Sequence, residues 1–307
     1  MTTTPSILAF NDITRSFTRG KRVLDGVTFS VEGEGVVALL GRNGAGKSTL
    51  LQIAMGMLFP DSGSVRVFGM SPVDKPVEVK RRVGFMAEGQ VLPPTSTIGE
   101  LISFHRYLFP TWDRAFEKEL LDRFGLAGNG QRIAALSNGQ QRQVALLCAI
   151  CHRPELLILD EPAGGLDPAA RREFLETSVQ LLNREGTAII FSSHQMGDVE
   201  RLGGRVVLLH EGKVRLDRPL DALREEFSVA VVSKSVVADS ARILAVPGCV
   251  RVRAALNEWH AVFERRPAEA RAALVAALGT DDVVCTTVPL EELFVDLVGG
   301  EHTAAAA

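Results

Sequence analysis

The sequence lacks any long apolar run. The longest candidates, such as VALLCAI at 144–150, are well short of the roughly 18 residues that a membrane-spanning helix needs. The first ten residues, MTTTPSILAF, have no basic region ahead of a long apolar stretch, so we expect no signal peptide. We therefore expect the chain to stay in the cytoplasm, with no transmembrane segment of its own.

Cysteine and excess basic charge are also scarce. The 4 cysteines in 307 residues are too scattered for a disulfide framework, which fits a reducing compartment. Cys148, Cys151 and His152 match the C-x-x-C-H string of haem attachment, but they stand among aliphatic residues of a predicted helix, so we expect core residues instead. The net charge of -3 gives no basic field for nucleic acid, which we do not expect as a partner.

Buried-strand patterns alternate with helical patterns along much of the chain. GVVALL (35–40), ELLIL (155–159) and TAIIFSS (187–193) are short apolar runs, each followed by a loop and a helical pattern. This alternation predicts an α/β fold with a mainly parallel sheet. Strand patterns over residues 6–31, broken by the turn-like TRGKR, predict a further β subdomain.

Shifts in composition predict the domain organisation. We expect a main domain at 1–227, with a helical subdomain inserted at about 95–153; the alternative is that these helices simply cover the sheet. Short valine-rich strands and two helical patterns at 228–300 predict a small α+β domain. We expect residues 301–307, EHTAAAA, to be disordered.

A phosphate-binding motif follows the first of these buried strands. GRNGAGKS at 41–48, here called the P-loop, fits G-x-x-x-x-G-K-[ST] between a strand and a helix, which is the context that the motif requires. Backbone N–H groups at its glycines can surround phosphate oxygens, Lys47 can reach the β- and γ-phosphates, and the Ser48 hydroxyl can bind Mg²⁺. The alternative is a glycine-rich turn with a surface lysine. The predicted nucleotide-binding residues are Gly41, Asn43, Gly44, Ala45, Gly46, Lys47, Ser48 and Thr49.

Polar side chains end two further strand patterns. In LLILDEP, Asp160 and Glu161 point to opposite sides of a strand end, where Asp160 fits a metal ligand and Glu161 fits a group that polarises attacking water. His194 ends FSSH and could bond a γ-phosphate or the water. The alternatives are two solvated acids and a structural histidine.

LSNGQ at 136–140, here called the signature segment, predicts a helix start. Ser137 and Gln140 have the spacing of a capping box. Gly139 lies in the first turn, where glycine costs helix stability, so something other than helix stability favours bare backbone there. Exposed N–H groups at a helix N-terminus are suited to an anion.

Five motifs together resemble the ATP-hydrolysing subunits of ABC transporters. GRNGAGKST, LSNGQ, LLILDEP, GGLDP (164–168) and His194 have the order and approximate spacing of that family, and the resemblance covers about residues 6–225. It implies a P-loop core, ATP and Mg²⁺ as ligands, and a head-to-tail dimer in which Ser137, Gly139 and Gln140 of one subunit close over the γ-phosphate held by the other. It also implies that Phe17 stacks on adenine, that Asp167 links the two sites and that His194 is a switch residue; a core position is the alternative for Phe17.

The resemblance further implies an ATPase that powers separate membrane subunits. We expect docking near residues 88–110 and the inserted helices, at the inner face of the cell membrane. LFPTWDRAFEKELLDRFGL (108–126) and PLEELFVDLVGG (289–300) are similar to stand-alone ATPases of bacterial exporters, so we expect export. We expect a homodimer, with a heterodimer as the alternative; the substrate is not encoded in any pattern.

Three positions differ from the usual family pattern. Asn138 replaces a glycine of the signature segment. Glu88 stands where a glutamine contacts Mg²⁺ and water, and a carboxylate can still bind a cation; Gln90 is an alternative for that position. Ala163-Gly164-Gly165 lacks the hydroxyls that commonly precede Asp167. We expect hydrolysis to persist despite these changes.

Other functions remain as alternatives. A soluble ABC ATPase of DNA or ribosomes would bring long coiled coils, a second P-loop or paired C-x-x-C zinc clusters, which the sequence does not show. A P-loop kinase or GTPase would not explain LSNGQ, and a GTPase would usually contain an N-K-x-D motif, which the sequence does not show. A regulatory subunit that binds ATP with little hydrolysis would explain Glu88 and Asn138, whereas Glu161 and His194 argue against it.

Overall fold

A six-stranded sheet with parallel central strands organises the first part of the chain. The structure is a computed structural model that describes residues 6–18, 20–126, 130–183 and 186–298. In chain order the strands of this part are β1 (Ser6–Thr18), β2 (Lys21–Glu32), β3 (Gly35–Leu40), β4 (Ser62–Val67), β5 (Val83–Met86), β6 (Leu156–Asp160), β7 (Ala188–Ser193), β8 (Arg205–His210) and β9 (Lys213–Pro219). The large sheet has the order β5-β6-β7-β3-β8-β9, with β5-β6, β6-β7, β7-β3 and β3-β8 pairing in parallel.

Burial explains why the central strands are continuous apolar runs. Every residue of β6 and β7 is buried, because a parallel sheet of this kind is covered on both faces. The antiparallel sheet β2-β1-β4 shares one hydrophobic core with β3 and the helix after it, through residues such as Leu8, Phe10 and Leu50. The predicted α/β P-loop fold with an antiparallel β subdomain is confirmed.

Helices connect these strands. They are α1 (Lys47–Ala54), α2 (Pro76–Arg82), α3 (Ile98–Leu108), α4 (Arg114–Arg123), α5 (Asn138–Ile150), α6 (Pro168–Asn183) and α7 (Met196–Leu202). Between residues 95 and 153, the described chain forms α3, α4, α5 and a short 3-10 turn at Ile133–Ala135. A capping box at Thr97 and Glu100 starts α3, and the Asp113 side chain caps α4.

The rest of the chain forms a second compact unit. The division lies between Asp217 and Arg218, ahead of the boundary that we expected after residue 227, because the helix Leu220–Glu226 groups with the second unit. Its elements are α8 (Leu220–Glu226), β10 (Ser228–Ser233), α9 (Ala241–Leu244), β11 (Cys249–Ala254), β12 (Glu258–Phe263), α10 (Pro267–Leu278), β13 (Val283–Thr287) and α11 (Leu290–Val298).

An antiparallel sheet of order β11-β12-β10-β13 forms the centre of this unit. Phe263 and Leu274 are among the fully buried residues that join the sheet to α10. Residues 301–307, which we expected to be disordered, lie outside the described residues. No helix in the described parts of the chain is long and apolar enough to span a membrane.

Candidate active site

Three neighbouring strands bring the predicted site residues together. The P-loop follows β3, Asp160 ends β6, and His194 follows β7, which pairs with both of the other strands. The carboxyl ends of parallel strands meet at one edge of a sheet, where ligands of open α/β folds bind. The strand order therefore explains why residues far apart in sequence meet here.

The P-loop backbone is held in a shape that glycine permits. Gly44 and Gly46 have φ angles of 80° and 104°, in the left-handed region. A Cβ at Gly41 would lie 2.4 Å from the carbonyl oxygen of Leu209, so a side chain does not fit there. No side chain caps the N-terminus of α1, which leaves its first N–H groups free for an anion.

Lys47 and Glu161 form a buried ion pair at the base of the site. Lys47 Nζ lies 3.3 Å from Glu161 Oε1, and only 5% and 6% of the two side chains are exposed. The same ammonium group donates to the Gly41 carbonyl at 2.8 Å. A phosphate that displaces Glu161 would therefore meet a lysine already held in the P-loop.

Glu161 is fixed from two further sides. Its Oε2 lies 2.9 Å from His194 Nδ1, and its N–H donates to Ser192 Oγ at 2.8 Å. Its backbone φ of 44° is unusual for a residue other than glycine, and such strain is common at functional positions. The predicted water-polarising acid and the predicted switch histidine are in direct contact.

The predicted metal-binding residues form a cluster of oxygen atoms. Ser48 Oγ donates to Asp160 Oδ1 at 3.1 Å and lies 3.4 Å from Glu88 Oε2. Burial raises the pKa of Asp160, although hydrogen bonds from Ser192 and Ser48 oppose the rise. A hard cation that prefers oxygen ligands, such as Mg²⁺, fits this cluster and would offset the burial of the carboxylate. Gln90 instead accepts from the N–H of Ala87, at 3.3 Å.

Lys47, Ser48, Glu88 and Glu161 open onto a cavity of about 550 Å³, within the usual range for small-molecule sites. Phe17 lies on its wall with 56% of its surface exposed, so it is not a core residue. The Arg15 guanidinium lies 5.1 Å from the centre of the Phe17 ring. The cavity is lined by Phe17, Lys21, Val23, Asn43, Gly44, Gly46, Lys47, Ser48, Thr49, Glu88 and Glu161.

The signature segment does not line this cavity. Ser137 Oγ accepts from the N–H of Gln140 at 3.2 Å, and Gln140 Oε1 accepts from the N–H of Ser137 at 3.0 Å, which is the predicted capping box. A Cβ at Gly139 would meet no atom of the described residues closer than 3.9 Å, so none of these neighbours requires glycine there. Asp167 is also outside the cavity lining; its Oδ1 accepts from the N–H groups of Ala169 and Ala170 at the start of α6.

Ser192 is a functional residue that no sequence motif predicted. Its hydroxyl donates to Asp160 Oδ1 at 2.7 Å and accepts the N–H of Glu161, so one buried side chain holds both acids. The signal was a pair of serines at the end of an otherwise apolar strand, where a buried polar group needs a partner.

Comparisons with known proteins agree with this geometry. The family model described as ABC transporter matches residues 24–164. The Fe(3+) ions import ATP-binding protein FbpC of Streptomyces coelicolor is 36% identical, over 73% of this chain and 67% of its own length. The Nod factor export ATP-binding protein I of Neorhizobium galegae is also 36% identical, over 68% of this chain and 61% of its own length.

A solved structure described as the ATP binding subunit of an ABC transporter is 31% identical. It superposes with a TM-score of 0.64, over 71% of this chain and 92% of that chain. The resemblance that the motifs indicated is confirmed.

Proposed function

The chain belongs to the ABC transporter family as an ATP-hydrolysing subunit, and we propose that it powers export by closing head to tail with a second copy of itself. The observation that carries this proposal is the separation of two half-sites in one chain. The P-loop cavity holds a buried Lys47 and Glu161, while Gly139 lies outside it with bare backbone. Each half-site becomes complete when it faces the other half-site of a second copy.

In the proposed reaction, each polar group of the cavity has one task. Lys47 and the N–H groups at the start of α1 bind the β- and γ-phosphates. Ser48, Asp160 and Glu88 would hold Mg²⁺, which neutralises charge on the phosphates when bound. Glu161 accepts a proton from water as that water bonds to the γ-phosphorus, and the bond to ADP breaks with its electron pair leaving on ADP. His194 keeps the Glu161 carboxylate oriented.

The second copy would supply the remaining contacts. The N–H groups at the start of α5 are positive in character and carry no side chain at Gly139, so they can approach the γ-phosphate closely. Asp167, in the loop that follows Glu161, would join the two copies. ATP then stabilises the closed dimer, and hydrolysis removes the shared γ-phosphate and lets it open.

The membrane-spanning part is proposed to lie in separate chains. We place the ATPase at the cytoplasmic face of the membrane, docked through residues 88–110 and the helices next to them. The two relatives described above serve import in one case and export in the other. The proposal of export rests on the similarity of residues 108–126 and 289–300 to exporter ATPases.

The dimer is tested with purified Glu161→Gln, in which bound ATP persists. Light scattering on a sizing column should show a mass of 33.2 kDa without nucleotide and twice that mass with ATP and Mg²⁺. Adding Lys47→Ala in the same chain should abolish the change. A variant that binds ATP and stays monomeric at high concentration would overturn closure of two identical copies.

Direction is tested in cells that produce Glu161→Gln in place of the natural chain. An exporter defect should raise sensitivity to a toxic compound from a chemical panel and increase its accumulation in the cell. A new nutritional requirement, with lower uptake of that nutrient, would show import instead.

A further inference from the structure

Phe17, on the wall of the nucleotide cavity, lies where regular strand pairing ends. The pairing of β1 with β4 reaches only to Thr14 and Ser62. The register of β1 against β2 shifts on both sides of Ser16, and irregularities of this kind change the direction of nearby side chains. The position of the Phe17 ring therefore depends on contacts outside the regular strand ladder.

Asp61, directly before β4, supplies bonds where the ladder ends. Its Oδ2 accepts from the N–H of Ser16 at 2.7 Å, and its Oδ1 accepts from Nη1 of Arg15 at 2.9 Å. Its own N–H donates to the Thr14 carbonyl at 2.8 Å. Both carboxylate oxygens of Asp61 are therefore bonded to the two residues that precede Phe17.

The Arg15 guanidinium lies over the Phe17 ring. Its Cζ is 5.1 Å from the ring centre, within the range at which a cation attracts an aromatic face. Only 25% of the Arg15 side chain is exposed, and in the described part of the chain its buried Nε has no hydrogen-bond partner. The ring face and the Asp61 carboxylate offset part of the cost of this burial.

Phe17 and Arg15 differ in their relation to the nucleotide cavity. Phe17 lines the cavity, and neither Arg15 nor Asp61 is among the described residues that do. A planar ring has two faces, so an arginine over one face leaves the other for a ligand. Lys47 and Ser48 line the same cavity, and the base of a nucleotide stacks well on an aromatic face.

The order of the ring matters because Phe17 is exposed. An exposed side chain that changes rotamer freely loses conformational entropy when a ligand fixes it. A ring that Arg15 already holds in place loses less, so a base should bind to it more tightly. Phosphates that contact only the P-loop should not benefit. The effect is therefore expected only for ligands that carry a base.

We propose that Arg15 and Asp61 are positioning residues for the base of ATP, and that both act through Phe17. Asp61 fixes the guanidinium, the guanidinium covers one face of the ring, and the base binds the opposite face. The inference rests on the proposed function in one respect, namely that this cavity binds ATP with its base at Phe17.

The test compares two ligands of the purified full chain in Mg²⁺: ADP, which has a base, and inorganic tripolyphosphate, which has none. Titration calorimetry gives the ADP affinity, and competition with ADP gives the tripolyphosphate affinity. Arg15→Met should weaken ADP binding about fivefold and change tripolyphosphate binding by less than about twofold. Arg15→Lys should restore most of the ADP affinity, since the charge is retained. The kcat of ATP hydrolysis should stay within about twofold in both variants, because the reacting groups are unchanged.

A double-mutant cycle shows whether Arg15 acts through the ring. In the Phe17→Ala background, Arg15→Met should change ADP affinity by less than about twofold, because the ring that it positions is gone. Asp61→Asn should also weaken ADP binding, but less than Arg15→Met does, since the amide oxygen still accepts from the N–H of Ser16.

Arg82→Met is the matched control. The Arg82 Cζ lies 3.7 Å from the centre of the Phe68 ring, and the guanidinium pairs with Glu155, but all three residues lie outside the described lining of the cavity. This variant should leave both affinities within about twofold, and melting temperatures identify any variant that unfolds.

Two outcomes would overturn the inference and leave the ATPase proposal intact. One is equal weakening of ADP and tripolyphosphate binding by Arg15→Met, and the other is an undiminished loss of ADP affinity in the Phe17→Ala background. No binding of ADP by the natural chain would overturn both.

Discussion

The P-loop end and the signature segment differ in what their own chain provides. At the P-loop end, Lys47 is already bonded to Glu161 and to the Gly41 carbonyl, and Ser192 holds both acids. At the signature segment, the side chains of Ser137 and Gln140 bond, among the described residues, only to the first turn of their own helix. The P-loop forms an organised cavity, whereas the signature segment presents an exposed helix N-terminus.

The two sites differ in what each needs before it can bind ATP. Buried, paired charges at the P-loop end are expensive to assemble, so the fold prepares them before a ligand arrives. An exposed helix N-terminus is solvated in the free protein, and its N–H groups stabilise an anion that is brought close to them. Substitutions at the two ends should therefore differ in effect, with the largest loss expected at Lys47.

Lys47→Ala should disrupt the P-loop cavity before any ligand binds. It deletes the phosphate-binding charge and removes the lysine partner of the buried Glu161 carboxylate, which His194 still contacts. We expect ATP affinity to fall about 100-fold or more, as measured by titration of a fluorescent ATP analogue. Lys21→Ala, at the wall of the same cavity, is the matched control and should weaken binding only a few-fold. Similar losses in both variants would contradict a special role for the buried lysine.

Gly139→Ala should damage function without damaging the fold. The added methyl group has room, and alanine favours a helix by about 0.5–1 kcal/mol, so the free energy of unfolding should stay equal or rise. The steady-state ATPase rate should fall about tenfold, because the methyl group stands where a phosphate of the second copy would approach. ATP affinity of the monomer should not change. Full activity in a variant that is as stable as the natural chain, or more so, would contradict a close approach of phosphate to the backbone at Gly139.

Ser192→Ala should loosen both acids together. It removes the hydrogen bond to Asp160 and leaves the buried N–H of Glu161 without its acceptor, at a cost of about 1–3 kcal/mol. We expect the ATPase rate per folded molecule to fall about tenfold, once the rate is corrected for the folded fraction. Ser193→Ala is the control, since Ser193 Oγ bonds Asp198 instead, at 2.7 Å. A larger rate loss in the control would show that the strand end acts as a whole.

The smallest effect concerns pH and the metal-free protein. Burial raises the pKa of Asp160 in the folded state, so its contribution to stability is present at low pH and is lost as pH rises through that pKa. The melting temperature of Asp160→Asn minus that of the natural chain should therefore increase with pH, by a few degrees. Melting scans in EDTA at several pH values measure this difference. A difference that shrinks with rising pH would mean that hydrogen bonds, not burial, dominate.

The sequence predicted most of the P-loop end and the start of α5. Two of these features depend on local backbone geometry: the glycine-rich turn between a strand and a helix, and the serine three residues before a glutamine. They can therefore be recognised from the sequence without tertiary information. The strand runs that became β3, β6 and β7 were predictable because complete burial demands unbroken apolar residues.

Other features depended on contacts between distant segments. Ser192 and Asp160 are 32 positions apart, and no pattern in the chain marks them as partners. Arg142 looks like an ordinary charged residue of an amphipathic helix, and only packing reveals its buried nitrogen near Gly164. The end of the first unit at Asp217 likewise depended on which helix packs with which sheet.

The sequence by itself determined which chemical groups the site contains, because short motifs fix the phosphate-binding backbone, the acids and the capping box through local geometry. Only the tertiary structure decided how those groups pair. Strand order brought β3, β7 and β6 side by side, and burial joined Lys47 to Glu161 and Ser192 to Asp160. The physical reason is that burial and pairing are properties of neighbours in space, which the order of residues along a chain does not specify.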